Sequence, residues 1–254
     1  MVVLEPLTIG ILCAVSIFVG LLIGCVGIGG VLLVPFLTHA LGLSIHVSIA
    51  AAMFGYIFVG AVAAVLYGRH GSIEWPKALW LIAGAMPAAY FGSFLVSVTP
   101  AFSLELIIAV LVGLAGLNAL RQKSAVTVER KISNPVALLT IGSITGVGSA
   151  LTGTGGPLFA VPILVSLNVS AHAAIGFSQA VQMPLAFLAT MGNLAYGIVN
   201  IVIGGIVASG LVIGGYLGAR LAHILSPVIM QRVIAWVLVL VGLFLLCKLS
   251  LGLV

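Results

Sequence analysis

The sequence predicts an all-α integral membrane protein made of two inverted repeats, each of about five helical segments with short or broken helices at a glycine motif. Three observations predict it. The chain is 63% hydrophobic and only 5% charged, whereas a soluble domain carries about 25% charged residues. Its second half repeats the first at a constant offset of 126 residues, without a gap from about Leu12 to Leu246. Finally, its basic residues alternate between equivalent loops of the two halves.

The repeat is read residue by residue. Gly27-Ile28-Gly29-Gly30 returns as Gly153-Thr154-Gly155-Gly156, and Ser44 and His46 as Ser170 and His172. Gly84, Tyr90 and Gly92 return as Gly210, Tyr216 and Gly218, and Leu114, Gly116 and Leu117 as Leu240, Gly242 and Leu243. Residues 1–120 form the first membrane repeat, 121–134 a cytoplasmic linker and 135–254 the second repeat. In a chain this apolar, two related halves place a substrate site where they meet, near the membrane midplane.

Apolar segments run Leu7–Gly24, Gly30–Leu41, Ile45–Leu66, Pro76–Val96 and Phe102–Leu120, then Pro135–Ala150, Gly156–Leu167, His172–Gly192, Asn200–His223 and Pro227–Leu249. Many approach the ~20 residues that cross a hydrocarbon core of about 30 Å. The first two of each half are short and parted only by the glycine motif. A kinked spanning pair and a re-entrant hairpin both fit, and both return the chain to its starting side. The start of the chain has no basic region before its apolar run, so it reads as mature protein rather than a cleavable signal. Cys13, Cys25 and Cys247 sit in apolar runs without metal-ligand spacing and read as small packing residues.

Basic residues mark cytoplasmic loops. Arg69 and Lys77 flank a loop whose half-two counterpart has no charge. Arg220 and Arg232 flank a loop whose half-one counterpart has no basic residue. The linker adds Arg121, Lys123, Arg130 and Lys131. Equivalent loops therefore face opposite sides, with both chain ends outside a plasma (inner) membrane; Lys248 dissents and can snorkel. Tyr67, Trp75 and Trp80 lie beside the Arg69 loop as an interfacial belt. The basic excess (9 against 4) is too sparse for nucleic acid.

Irregular backbone at membrane depth is tolerated only inside protein or along a cavity. Glycine lets a ligand approach main-chain N–H groups, and a helix starting after the motif aims its positive end there. Gly27, Gly29, Gly30, Gly153, Gly155 and Gly156 thus form a candidate anion cradle, with Pro157 opening the following helix. Thr152, Thr154 and Ser149 could donate to an oxyanion. Ser178 and Gln182 (i, i+4) and Gln179 and Gln182 (i, i+3) share a face of the next helix, which Pro184 kinks. His46 and His172 open the helix after each motif and are further candidates. Gly24, Gly84, Gly92, Gly113 and Gly116 read as helix-packing positions. Glu5, Glu74, Glu105 and Glu129 all lie at segment ends or in loops, which argues against a carboxylate relay and for an anion as substrate.

These residues resemble the TauE/SafE sulfite exporter family, also called the 4-toluene sulfonate uptake permease family, over nearly the whole chain. The likeness rests on the duplicated glycine motif followed by proline (Gly27–Pro35 and Gly153–Pro162), the His46 and His172 helices and the positive linker. It implies export of sulfite, thiosulfate or sulfonate-type anions by a chain in the lipid bilayer, and a homodimer is a further expectation. Many members carry a Thr-Ser pair after each histidine; here Ala50–Met53 and Gly176–Gln179 stand there. The reading is a transporter and not an enzyme, with no cofactor and no metal. Its rivals are an importer of another small anion, a non-transporting assembly subunit and, least of all, an intramembrane hydrolase using Ser149 and His172.

Overall fold

The structure is a computed structural model that describes residues 5–27, 29–121, 134–196, 198–222, 224–225 and scattered positions from 232 to 247. Its helices are α1 (Pro6–Val26), α2 (Gly30–His39), α3 (Ile45–Arg69), α4 (Trp75–Val98), α5 (Ala101–Arg121), α6 (Pro135–Thr152), α7 (Pro157–Ser166), α8 (Ala171–Ala195) and α9 (Ile201–Ala222). No strand occurs among the described residues. Among the described residues, six helices (α1, α3, α4, α6, α8 and α9) are long and apolar enough to cross a membrane. The linker, most of the segment expected at Pro227–Leu249, Ile28, His223, the surroundings of Gly116 and the side chain of His172 lie outside what is described.

The two short segments are unequal partners rather than two halves of one crossing. α1 has 21 residues and α6 has 18, whereas α2 and α7 have 10 each. At ~1.5 Å per residue α2 and α7 reach only about halfway through a bilayer. Thr38 near the end of α2 donates to Ser48 near the start of α3, while Gly30 meets Tyr56 further along α3. So α2 doubles back alongside α3. The turn after α2 needs a left-handed residue, Gly42 at φ 66°; the turn after α7 puts Asn168 there at φ 63°. These positions are 126 apart, and asparagine is among the few residues that tolerate that conformation.

Small residues decide which helices pair. α1 packs on α9 and α4 on α6. A methyl group on Gly20 would strike the backbone of Leu211, and one on Gly146 would strike the backbone of Ala85. Subtracting 126 turns Gly146 into Gly20, and adding it turns Ala85 into Leu211. The same interface is built twice. Gly24 against Gly215, Gly84 against Leu139 and Gly92 against Ala150 extend it, so these glycines do serve packing. Without a hydrophobic drive between helices in lipid, such close backbone approach is what supplies the attraction.

The contacts also fix directions. Gly210, Gly214 and Gly218 meet Cys13, Ile17 and Leu21 in the same order, so α1 and α9 run parallel. Gly142 meets Leu81 and Gly146 meets Ala85, so α4 and α6 also run parallel. α3 and α8, the repeat-equivalent central pair, run oppositely: Gly60 faces Met183, while Gly176 at the start of α8 meets Ser72 just past the end of α3.

Candidate functional site at the helix breaks

α1 stops because Gly27 adopts φ 83° and turns its N–H back to Ile23 O. α6 stops the same way at Gly153, φ 65°, bonded to Ser149 O. Beyond this point the halves diverge. Half one re-enters a helix at once, with Gly29 already at φ −68°. Half two stays irregular through Gly155 (φ 78°) and Gly156 (φ 115°) before Pro157 starts α7. Only glycine adopts such angles without strain.

The two breaks meet. A Cβ on Gly30 would lie 2.6 Å from Thr154 O, and one on Gly27 would lie 3.2 Å from Pro157 Cβ and 3.7 Å from Ser178 Oγ. On Gly155 it would lie 2.8 Å from the Tyr56 ring and 3.0 Å from Gln182 Nε2. The junction therefore has no spare room for a side chain at Gly30 or Gly155. Tyr56 and Gln182 are themselves 126 apart, so equivalent positions of α3 and α8 close on the same point.

The hydrogen bonds show which groups are committed. Tyr56 donates to Gly30 O at 3.1 Å, and Tyr67 donates to Gly24 O at 2.9 Å, tying α3 to the first break. Gln179 Nε2 donates to Ile23 O at 2.6 Å, holding α8 to the end of α1. Ser178 donates to Ile175 O at 2.8 Å. Thr152 donates to Gly148 O, so Thr154, 2.9 Å away, must be the donor in the Thr152–Thr154 pair.

Other groups carry no hydrogen bond within the described protein. Gln182 is 0% exposed with both amide atoms unpaired, and Ser149 Oγ, Thr145 Oγ1 and Gln179 Oε1 are buried and unpaired too. At the start of α7 Pro157 has no N–H, and the Phe159 and Ala160 N–H groups both donate to Gly156 O, so Leu158 N–H is the donor the helix itself leaves over. An unpaired buried polar group costs about 1–3 kcal/mol. Around this closely packed junction, beside the positive end of α7, Gln182 Nε2 and the Ser149 and Thr145 hydroxyls are uncharged donors without an acceptor, the kind of group that satisfies a small oxyanion. No group of three or more metal-binding side chains exists among the described residues.

Of the residues singled out in the sequence, Gly27, Gly30, Thr152, Thr154, Gly155, Pro157, Ser178, Gln179 and Gln182 come together here, with Gly153 and Gly156 shaping the turn. Gly29 instead packs against the backbone of Val19 and Ile23 on α1. His46 does not reach the junction. It sits at the start of α3, its Nε2 3.0 Å from Thr99 O, about 15 Å along the helix from Tyr56 at 1.5 Å per residue. Tyr56 and Thr145 were not anticipated as site residues. The repeat offset pointed to Tyr56, since it is the counterpart of Gln182; nothing distinguished Thr145 from an ordinary helix threonine.

Residues 12–245 match the family model described as sulfite exporter TauE/SafE. Among curated proteins, the chain is 26% identical over 240 residues to a probable membrane transporter protein, YdhB, of Bacillus subtilis (strain 168), covering 91% of this chain and 98% of that one. It is 25% identical over 243 residues to a second, YjnA, of the same organism, covering 90% and 96%. No solved structure matches it significantly. Six apolar helices and membrane-transporter relatives together make this a multi-pass membrane protein of a transporter family.

Proposed function

The chain belongs to the sulfite exporter TauE/SafE family, and from that premise we propose that it carries a small sulfur-containing oxyanion, of the sulfite, thiosulfate or sulfonate class, by alternating access around the junction of the two helix breaks. The observation that carries this reading is the buried, unpaired amide of Gln182 beside Gly155 and the start of α7. In this mechanism Gln182 Nε2 and the hydroxyls of Ser149 and Thr145 turn toward the bound anion, Thr154 joins them by releasing Thr152, and the Leu158 N–H at the start of α7 shares the charge. Tyr56 and Gln179 hold the breaks in place. No single residue carries a formal positive charge there, so the anion is held by many weak donors and can leave again.

The halves are taken as an inverted repeat. Supporting it are the opposed directions of α3 and α8 and the reciprocal α1–α9 and α4–α6 interfaces. Arg69, Lys77 and Arg220 share one end of the helices, which we assign to the cytoplasm of an inner-membrane protein. An anion crossing alone is then driven outward by about 2.3 kcal/mol per charge per 100 mV, so export is the direction for uncoupled transport.

Counterflow of radiolabelled sulfite in proteoliposomes, competed by thiosulfate, sulfonates and sulfate, tests the substrate class. Trans-acceleration with at least one of these is expected; none with any of them would return the chain to a non-transporting role. Orientation is tested in a variant lacking Cys13, Cys25 and Cys247. A cysteine at Thr99 should react with an impermeant thiol reagent in intact cells and one at Ser72 should not; equal labelling would overturn the assignment.

A further inference from the structure

The chain has four acidic residues, all glutamate, and one of them is not where a segment-end residue should be. Glu105 lies in the second turn of α5 and is only 9% exposed. A carboxylate in such a place is costly unless it has a function or a partner. No hydrogen bond or ion pair joins it to another described residue. It lines a cavity of about 10 Å³ with Thr38 and His39 of α2, the rest being hydrocarbon from Val34, Pro35, Ile45 and Ile108. That is room for about one water molecule. Thr38 donates to Ser48 Oγ, and Ser48 donates to Ser44 O, so Thr38 turns lone pairs, not a proton, to its other neighbours.

The chemistry of this cavity selects its occupant. A metal cation replaces its hydration shell with several oxygens, and this site offers a carboxylate, one hydroxyl and an imidazole. A proton needs only one acceptor. The other titratable groups at this end are few. His39 of α2 lines the same cavity and sets its ring edge-on to Phe244, His46 on α3 is turned to Thr99 O, α6 and α7 carry none, and Lys248 lies outside the described residues.

We propose that Glu105, with His39 beside it, is the proton site of a proton–anion symport, coupled to the anion junction through α2. The reading rests on the transport function proposed above. α2 runs from Gly30, at the junction, to His39, at the proton site, a rise of about 15 Å. An ionised Glu105 at that range repels a bound anion; at an effective dielectric of about 20, this lowers anion affinity about sixfold. Protonation removes the repulsion, so proton and anion bind cooperatively and cross together. A monovalent anion then moves as part of a neutral pair, and the pH gradient replaces the membrane potential as its drive.

The test uses the purified full-length chain and methanesulfonate, which stays ionised where sulfite itself titrates. With one proton per anion, a gradient of one pH unit, acid outside, should drive accumulation in voltage-clamped proteoliposomes toward about tenfold. Glu105→Gln should still exchange methanesulfonate in counterflow and should not accumulate it. Accumulation by Glu105→Gln at the wild-type level, or accumulation driven by a sodium gradient at equal pH, would overturn the proton site. If neither protein moves any anion, the transport reading fails, and infrared titration in detergent still tests the site. A carboxylic-acid band that vanishes in Glu105→Gln and shifts in His39→Ala supports it; wild type without such a band refutes it.

Discussion

The two halves are built alike at their interfaces and unlike at their centre. Gly20 against Leu211 and Gly146 against Ala85 are one contact made twice. At the junction, by contrast, half one offers Ala52, Met53 and Tyr56 where half two offers Ser178, Gln179 and Gln182. Gly29 is helical where Gly155 is left-handed. The difference teaches that the packing that relates the halves tolerates little change, because each small residue is pressed against backbone. The centre, where backbone turns rather than packs, is free to diverge. Half two supplies the donors, and half one supplies the wall and the tie from Tyr56 to Gly30.

The sharpest way to break this comparison is Gly155→Val. The position has φ 78° and faces the Tyr56 ring and Gln182, so a β-branched side chain is strained there and displaces both from the junction. Transport should be abolished, with the chain still inserted and monodisperse in detergent. Normal transport by this variant would place the anion elsewhere.

Gln182→Leu comes next. Hydrogen bonds to a charged partner contribute about 1.5–3 kcal/mol, so the apparent substrate constant should rise roughly ten- to a hundredfold. Met53→Leu, at the counterpart of Gln179, should change it little. Equal losses from both, or none from Gln182→Leu, would return Gln182 to a packing role and make the site symmetric.

How far the sequence carried differs between these regions for a physical reason. Segment limits were legible because hydrophobic length and glycine breaks are local properties: Ile45–Leu66 became Ile45–Arg69, and Pro135–Ala150 became Pro135–Thr152. The packing role of Gly24, Gly84 and Gly92 was legible from small-residue spacing. The convergence of Gly155, Gln182 and Tyr56 was legible in part, because the offset pairs the last two. The burial of Glu105 was not, since it depends on α2 folding back beside α5, and no local pattern encodes that. Nor could spacing reveal that α1 is full length while α2 is not.

The repeated interface predicts paired effects of intermediate size. Gly20→Val and Gly146→Val each drive a branched side chain into the facing backbone, an overpacking worth about 1–3 kcal/mol. Both should lower the melting temperature in detergent by similar amounts, with substrate affinity of the folded fraction unchanged. A large loss from one and none from the other would show that the two interfaces are not equivalent in strength.

The smallest effect is expected from the repeated histidines. His46 shares its offset with His172, which made both candidates for the anion site. Yet His46 Nε2 lies 3.0 Å from Thr99 O at one end of α3, where it ties the start of that helix to the turn between α4 and α5. Its ring N–H is then spent on a carbonyl and unavailable to an anion about 15 Å further along the helix. His46→Ala should remove one hydrogen bond, lowering stability by about 0.5–1.5 kcal/mol. Substrate affinity should stay within about twofold of wild type, well short of the loss from Gln182→Leu, a twofold change being only ~0.4 kcal/mol. A tenfold loss of affinity with unchanged stability would move His46 into the transport path and make the histidine repeat, rather than the glycine breaks, the element that both halves keep for the substrate.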